Sequence, residues 1–188
     1  MEILNTILFW LGVSVFLYIP YIEIFCKGVP HYRTAPIIRD EIIKRLQQDI
    51  KKHETSSPYQ IVDMGAGFGF MAMALAKAYP QAQVVGIEID RIACWSARLI
   101  AWLRGIQNVR FIRGNAMAYD MGDTDAVTIY MGKKFMSAIS VKLADELQQG
   151  ALVFSNSYKL EAPWVLLEKV TIETKYPHQG WLYVYKKQ

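Results

Sequence analysis

The residues best suited to chemistry lie in two short stretches, Ile61-Val62-Asp63-Met64-Gly65-Ala66-Gly67-Phe68-Gly69 and Gly86-Ile87-Glu88-Ile89-Asp90. Each apolar run ending in an acid reads as a buried strand, and the glycines after the first read as a turn opening a helix. A dinucleotide-binding turn, G-x-G-x-x-G, aims backbone N–H groups at a pyrophosphate. This chain has G-x-G-x-G instead, with Phe70 where the third dinucleotide glycine belongs and Asp63 just ahead of the turn. A carboxylate beside a pyrophosphate meets like-charge repulsion at low dielectric. It suits a ligand bearing an ammonium and a sulfonium, which S-adenosylmethionine presents. Gly65, Gly67 and Gly69 let backbone come close to the methionyl and ribose parts of such a cofactor, since no Cβ intervenes; Met64 and Ala66 belong to the same turn. Glu88, 25 residues after Asp63, is spaced to accept hydrogen bonds from both ribose hydroxyls, with Ile89 beside it. A glycine turn alone would fit any parallel α/β protein. The acid, the glycines and the second acid at this distance are more specific together.

Positioning these residues requires alternating strands and helices. Strands are expected near 60–64, 83–89, 109–113, 126–131 and 151–155, separated by helices near 69–79, 91–104 and after 131. In the second helix Ile92, Trp95, Leu99 and Trp102 share a face; in the third, Phe135, Ile139, Leu143 and Leu147 recur at steps of four. Such alternation means a parallel sheet with helices on both faces. The tail departs from it: residues 165–174 and 181–187 flank a Tyr-Pro-His-Gln-Gly turn and read as an antiparallel hairpin. The fold expected is α/β, a doubly wound Rossmann-like sheet of seven strands with a C-terminal antiparallel hairpin. Such sheets bind ligands beyond the carboxyl ends of their strands. Asp63–Gly69, Glu88, Asn115, Tyr130-Met131 and Ser155-Asn156 should therefore converge on one cleft, where Asn115 and the backbone N–H of Ala116 could read an adenine edge. Asn115 could equally be a turn residue after Gly114.

Ahead of this domain, residues 3–22 carry no charge and are long enough to cross a bilayer. No basic n-region or small-residue cleavage site marks a signal peptide, and no basic polar face marks an interfacial helix. The segment is expected to be a single-pass transmembrane anchor, with Pro20 kinking or ending it and Trp10, Tyr18 and Tyr21 near the interfaces. Lys27, Arg33 and Arg39 follow it, which places the rest of the chain on the cytoplasmic or equivalent organellar side. Three regions result: an anchor over 1–26, a connecting loop and helix over 27–57, and a domain over 58–188. In the connecting region Thr34 is the expected N-cap of a helix with Pro36 in its first turn.

With Glu2 and Glu23 set aside, 21 basic residues face 15 acidic ones, a balance of about +6 that suits anionic headgroups near an anchor. The clusters Lys51-Lys52, Lys133-Lys134 and Lys186-Lys187 are no more than pairs and no dense basic cluster interleaves with aromatics, so nucleic acid is not expected as a partner. Cys26 and Cys94 give no disulfide framework, in keeping with a reducing compartment. His31, His53 and His178 fit no metal-ligand spacing, and no metal is expected.

The Asp63–Gly69 and Glu88 motifs resemble those of the seven-β-strand S-adenosylmethionine-dependent methyltransferases, over about residues 58–188. The N-terminal hydrophobic segment, the P-x-x-x-T-x-P loop from Pro30 to Pro36 and Pro163-Trp164 before the hairpin are similar to a narrower family. Its members are membrane-anchored protein-lysine methyltransferases of the ATP synthase c-subunit and adenine nucleotide translocase type, with prokaryotic relatives. The resemblance implies a protein-lysine N-methyltransferase acting on a membrane or membrane-associated protein. This sequence departs by having Asn115 where many methyltransferases have an acid. Under this reading Tyr130 is the candidate for orienting the substrate amine, with packing or a contact to the cofactor as its equal alternative, and Tyr32 and Thr34 could close the cleft. Ile129-Tyr130-Met131-Gly132-Lys133 replaces the N/D-P-P-Y/F motif of adenine- or glutamine-directed enzymes, which disfavours those substrates. A lipid or quinone methyltransferase, and a non-catalytic protein that binds the cofactor, are the alternatives.

Overall fold

A computed structural model of the 188-residue chain describes residues 2–25, 33–51, 58–173 and 180–188, with backbone only at 15 and 18–25. The chain divides into two compact units, Met1–His31 and Tyr32–Gln188.

The first unit is one helix, α1 (Glu2–Phe25). Ile3, Leu4, Ile7, Leu8, Phe9 and Trp10 are all more than half exposed, so apolar side chains face outward on every side of its first turns. Its polar side chains turn back on the helix: the Thr6 hydroxyl donates to the Glu2 carbonyl at 2.9 Å and the Ser14 hydroxyl to the Trp10 carbonyl at 2.8 Å. Among the described residues no helix is long and apolar enough to cross a membrane. The transmembrane helix expected over 3–22 is corrected to that extent. Asn5, Thr6, Gly12 and Ser14 dilute the described run, and the side chains of Tyr18, Tyr21 and the end of the helix lie outside the described residues.

The second unit is a seven-stranded sheet with helices on both faces. Its elements are α2 (Pro36–Ile50), β1 (Gln60–Met64), α3 (Phe70–Ala78), β2 (Gln83–Glu88), α4 (Arg91–Leu103), β3 (Val109–Arg113), β4 (Ala126–Ile129), α5 (Met136–Glu146), β5 (Leu152–Asn156), β6 (Leu166–Thr171) and β7 (Trp181–Lys186). The strand order is β3-β2-β1-β4-β5-β7-β6. β1 to β5 run parallel, while β7 enters antiparallel between β5 and β6. The order reverses beside β1, and the crevice that such a reversal opens lies at the carboxyl ends of β1 and β4.

The two sides of the sheet are filled differently. On one, α2 contributes Ile38, Ile42, Leu46 and Ile50, α3 contributes Met71, Met73 and Leu75, and α4 contributes Cys94, Ala97 and Ala101. On the other, α5 packs Met136, Ile139 and Leu143 against Val62, Val127, Val153 and the rings of Tyr183 and Tyr185. Each buried aliphatic of this kind stabilises by about 1.5–3 kcal/mol, so α2 is part of the core of this unit. Its cap differs from the expectation. The N-cap is Ala35, at φ −57° and ψ 140°, and not Thr34. Pro36 drives the residue before it out of the helical region, and the Ala35 carbonyl then accepts from the N–H groups of Ile38 and Arg39, each at 3.0 Å.

α4 holds a second difference. Its small residues Ala93, Cys94, Ala97 and Ala101 meet the sheet, while the larger Ile92, Trp95, Leu99 and Trp102 on the opposite face are exposed. The close fit that the small side chains permit leaves the large ones with no place in this core.

The Pro163-Trp164 run serves packing. The Trp164 indole N–H donates to the Ser140 carbonyl on α5 at 2.8 Å, and its ring meets Tyr185 edge-on with centroids 6.0 Å apart. The turn expected between the hairpin strands, together with His31, His53, His178, Tyr32 and Cys26, lies outside the described residues.

Candidate cofactor site and active site

The site forms where β1 ends and its chain must turn sharply into α3. Gly65, Gly67 and Gly69 have φ of 74°, 53° and 77°, the left-handed region in which a side chain is strained. The turn is tied to the neighbouring strand, since the N–H groups of Gly65 and Ala66 both donate to the Ile87 carbonyl, at 3.0 and 2.9 Å. A Cβ on Gly65 would stand 3.4 Å from Cγ of Met131, so this glycine faces the residues after β4 across the crevice. Gly69 has a different task. A Cβ there would fall 2.4 Å from Phe111 and 3.0 Å from Ala97, so its bareness admits the Phe111 ring beneath the turn.

Asp63 lies one residue before the end of β1, between Gly86 on β2 and Thr128 on β4. It is 5% exposed. Its Oδ1 accepts from the Thr128 hydroxyl at 2.8 Å, and its Oδ2 is buried with no partner in hydrogen-bond geometry. Burial is the main cause that raises its pKa, from 3.8 to about 6; the Thr128 hydroxyl and the Ala72 N–H pull it down, and the charge of Glu88 pushes it up again. A buried carboxylate oxygen so poorly supplied with donors calls for a cation.

Glu88 ends β2 and is also 5% exposed. Its Oε2 accepts from the Gly67 N–H at 2.6 Å and its Oε1 from the Asp90 N–H at 2.7 Å. The carboxylate thereby clamps the glycine turn, and each oxygen keeps a lone pair for a ribose hydroxyl. Asp90 is the N-cap of α4; its Oδ1 accepts from Ile92 and Ala93 at 2.7 and 3.3 Å, which fixes the backbone just beyond Glu88 and Ile89.

Asn115 follows β3 and is exposed, while Ala116 beside it is 7% exposed. Asn115 caps a short 3-10 turn, its Oδ1 accepting from the Met117 N–H at 3.0 Å. A capping oxygen with a second lone pair can also accept from an exocyclic amine. Asparagine and aspartate both supply that oxygen, so the departure from the commoner acid leaves this chemistry in place.

β4 ends at Ile129, two residues earlier than expected, and Tyr130 and Met131 run on from it as half-buried residues at the crevice. Ile129 is in register with Met64 on β1 and Ser155 on β5. Tyr130 therefore follows the strand between β1 and β5, directly beside the strand that carries Asp63. Beyond β5, Asn156 is buried and Ser157 takes φ 74°, a strained non-glycine conformation next to the site. The strain at Ser157 has no signature in the sequence.

Thr34 is half-buried, and Arg33 before it lays its guanidinium over the Phe70 ring, 4.3 Å from the centroid. This brings residues 33–34 to the start of α3, directly after the glycine turn. Phe70, at the position where a dinucleotide turn has its third glycine, thus has a task in this cation–π contact. Among the described residues no cluster of His, Cys, Asp or Glu is placed to hold a metal ion.

The crevice thus offers an acceptor for an ammonium (Asp63), an acceptor for a ribose diol (Glu88), a bare turn between them and an acceptor for an adenine amine (Asn115). These donor-poor, acceptor-rich positions fit S-adenosylmethionine and oppose a pyrophosphate. Solved structures agree on the fold. An RNA methyltransferase from Salinibacter ruber, in complex with S-adenosyl-L-homocysteine, superposes with a TM-score of 0.71 at 22% identity, covering 84% of this chain and 95% of that one. Among curated proteins, a 23S rRNA (uracil(747)-C(5))-methyltransferase of Vibrio vulnificus is 34% identical over 103 residues, 53% of this chain and 27% of its own length. A carboxy-S-adenosyl-L-methionine synthase of Nautilia profundicola is 26% identical over 152 residues, 78% of this chain and 63% of its own. The chain spans less than two thirds of either of these relatives. The profile of the ANTKMT methyltransferase domain matches residues 63–164, more than half of the chain and the whole of the crevice from Asp63 to Ser157. With that match and this site, the chain belongs to the ANTKMT methyltransferase domain family, with S-adenosylmethionine as its cofactor.

Proposed function

We propose that the protein is a protein-lysine N-methyltransferase acting on a membrane or membrane-associated protein, with α1 as its anchor and the catalytic unit on the cytoplasmic or equivalent organellar side. The observation that carries this reading is Tyr130, half-buried at the carboxyl end of β4, in place of the motif that grips planar amides and base amines. The family match over 63–164 supports it, as does a first helix whose large described apolar side chains, from Ile3 to Leu17, are exposed.

Bound S-adenosylmethionine supplies the electrophilic methyl group. The residues of the chain have three tasks around it. Asp63, Glu88 and Asn115 hold the cofactor at both ends, so that only the reacting centre faces the open side of the crevice. A lysine has an ordinary pKa of about 10.4 and must arrive neutral; the half-buried Tyr130, Met131 and Phe135 around the opening provide the desolvation that lowers it. The Tyr130 hydroxyl then accepts an N–H of the amine and directs its lone pair inward, which is catalysis by positioning.

A second reading rests on the curated relative that methylates RNA. Arg91, Arg98, Arg104, Arg110 and Arg113 give the stretch over 91–113 five positive charges and no acid, a footprint that phosphate would also fit.

The deciding experiment follows radiolabelled methyl from S-adenosylmethionine into membrane fractions, with wild type beside Asp63→Ala. The expected result is label that depends on Asp63 and stays in a protease-sensitive band. Label that moves to the organic phase assigns a lipid or quinone substrate, and label in a ribonuclease-sensitive fraction assigns RNA. Cofactor binding with no label in any fraction identifies a binding protein. The anchor is checked separately: full-length protein is expected in the membrane pellet, released by detergent and not by high salt. Its recovery in the supernatant without detergent refutes the anchor.

A further inference from the structure

The exposed face of α4 is unusual for a helix that packs on a sheet. Ile92, Trp95, Trp102 and Leu103 are 57%, 62%, 75% and 67% exposed, and Leu99 between them is 38% exposed. The spacing i, i+3, i+7, i+10 and i+11 puts all five on one side, opposite the Ala93, Cys94, Ala97 and Ala101 face that meets the core. Scattered exposed apolar residues need no explanation, but a contiguous patch with two tryptophans marks a contact surface.

We infer that this face of α4 is a second membrane contact, which seats the catalytic unit on an anionic bilayer surface. The charge pattern selects the occupant. From Arg91 to Arg113 the chain carries five arginines and no acid; Arg91 and Arg98 are exposed on α4 itself, Arg104 follows its last turn, and Arg110 and Arg113 lie on the adjoining edge strand β3. An apolar stripe with tryptophans and leucines, bordered by cations, is the pattern of a helix lying in the headgroup region, with the apolar side chains in the acyl boundary and the guanidinium groups at the phosphates. Nucleic acid would use the arginines, yet it offers nothing to Ile92, Leu99 and Leu103. A second copy of the chain would bring the same positive surface against itself.

The placement has a consequence for the site. α4 begins two residues after Ile89, with Asp90 as its cap. Ile92 and Trp95 are therefore on the first turns of the helix, at the crevice end of the sheet. Seating α4 on lipid puts the opening of the crevice near the headgroups, where a lysine at the margin of a membrane protein would be found. This inference rests on the membrane reading above and adds an orientation to it.

The test uses the full chain with Cys26→Ser, which leaves buried Cys94 as the remaining native thiol. An environment-sensitive fluorophore is attached at Leu103→Cys, or at Asp123→Cys on an exposed loop before β4 as the control. The protein is mixed with phosphatidylcholine vesicles, with or without phosphatidylglycerol, some carrying brominated acyl chains. Expected are a blue shift and bromine quenching at position 103 and not at 123, in the anionic vesicles. Arg91→Gln with Arg104→Gln should raise the phosphatidylglycerol needed for half of the shift, roughly fivefold for each arginine. Protein that floats with vesicles while position 103 stays in water overturns this inference alone. Protein that does not float overturns the membrane reading with it. A blue shift before any vesicle is added gives the face to another protein surface, and a shift with an RNA oligonucleotide but not with vesicles gives it to nucleic acid; either outcome overturns the proposal.

Discussion

Asp63→Asn should lose the cofactor and yet gain stability. In wild type the ionised carboxylate sits 5% exposed with one oxygen unpartnered, and burial lifts its pKa from 3.8 to about 6. The folded state therefore binds the proton more tightly than the unfolded chain does. Above the folded value the ionised group destabilises the protein, by on the order of 3 kcal/mol for a shift of this size. That cost fades as pH falls through 6 and is gone below the unfolded value near 4. A cofactor ammonium would remove the same cost by pairing with Oδ2, so the destabilised carboxylate would favour binding of the cofactor. Asparagine keeps the oxygen that accepts from Thr128 but carries no charge at any pH. Without cofactor, denaturant unfolding between pH 4 and 7 should show Asp63→Asn nearly flat over the window in which wild type gains stability on acidification, apart from contributions common to both. Parallel curves would refute the assignment of the buried charge. Calorimetry with S-adenosylmethionine should show the variant binding at least ~30-fold more weakly at pH 7.5, the loss expected for a hydrogen bond to a charged group. Wild type itself should weaken about tenfold for each pH unit below 6, as protons compete with the ammonium for Asp63.

Much of this site can be read before any fold is built, because its chemistry is local in sequence. Asp63, the three glycines and Glu88 lie within one strand–turn–helix–strand unit, and the types of residue decide between a cationic and an anionic ligand. The parallel order of the core follows from alternation, and the β-rich tail from its composition. What sequence could not supply is any relation that depends on which surface is covered. Periodicity finds the Ile92, Trp95, Leu99 and Trp102 face of α4 but cannot tell that the core takes the alanines instead. The hairpin is legible, whereas the insertion of β7 between β5 and β6 depends on side-chain packing from Tyr183 and Tyr185 against α5. Thr34 looks like a better cap than Ala35, until Pro36 fixes the backbone of the residue before it. Gly69 belongs by motif with the cofactor turn, and only the position of Phe111, forty-two residues later in the chain, shows its second task.

Gly86→Ala tests that packing without replacing any residue assigned to the cofactor. Gly86 lies in the middle of β2, where its backbone needs no glycine, and a Cβ there would fall 2.6 Å from the Phe111 ring and 2.9 Å from the Ala66 Cβ. Phe111 is 4% exposed and wedged below the glycine turn, so it has little room to yield. The added methyl must displace either the ring or the turn, and overpacking of this kind costs about 1–3 kcal/mol and at times more. Phe111→Ala alone should cost about 3–5 kcal/mol through the cavity it leaves. In the double variant the methyl at 86 occupies part of that cavity, so the two losses should fall short of their sum by about 1 kcal/mol or more. Additive losses in urea unfolding would mean that the ring does not press on β2. The binding data carry the second half of the argument. Ala66 is in the turn that Glu88 clamps through Gly67, so a displaced turn weakens S-adenosylmethionine binding even where the domain stays folded. Recovery of affinity in the double variant, relative to Gly86→Ala, would show that Phe111 sets the height of the glycine turn and so couples the core of the sheet to the cofactor.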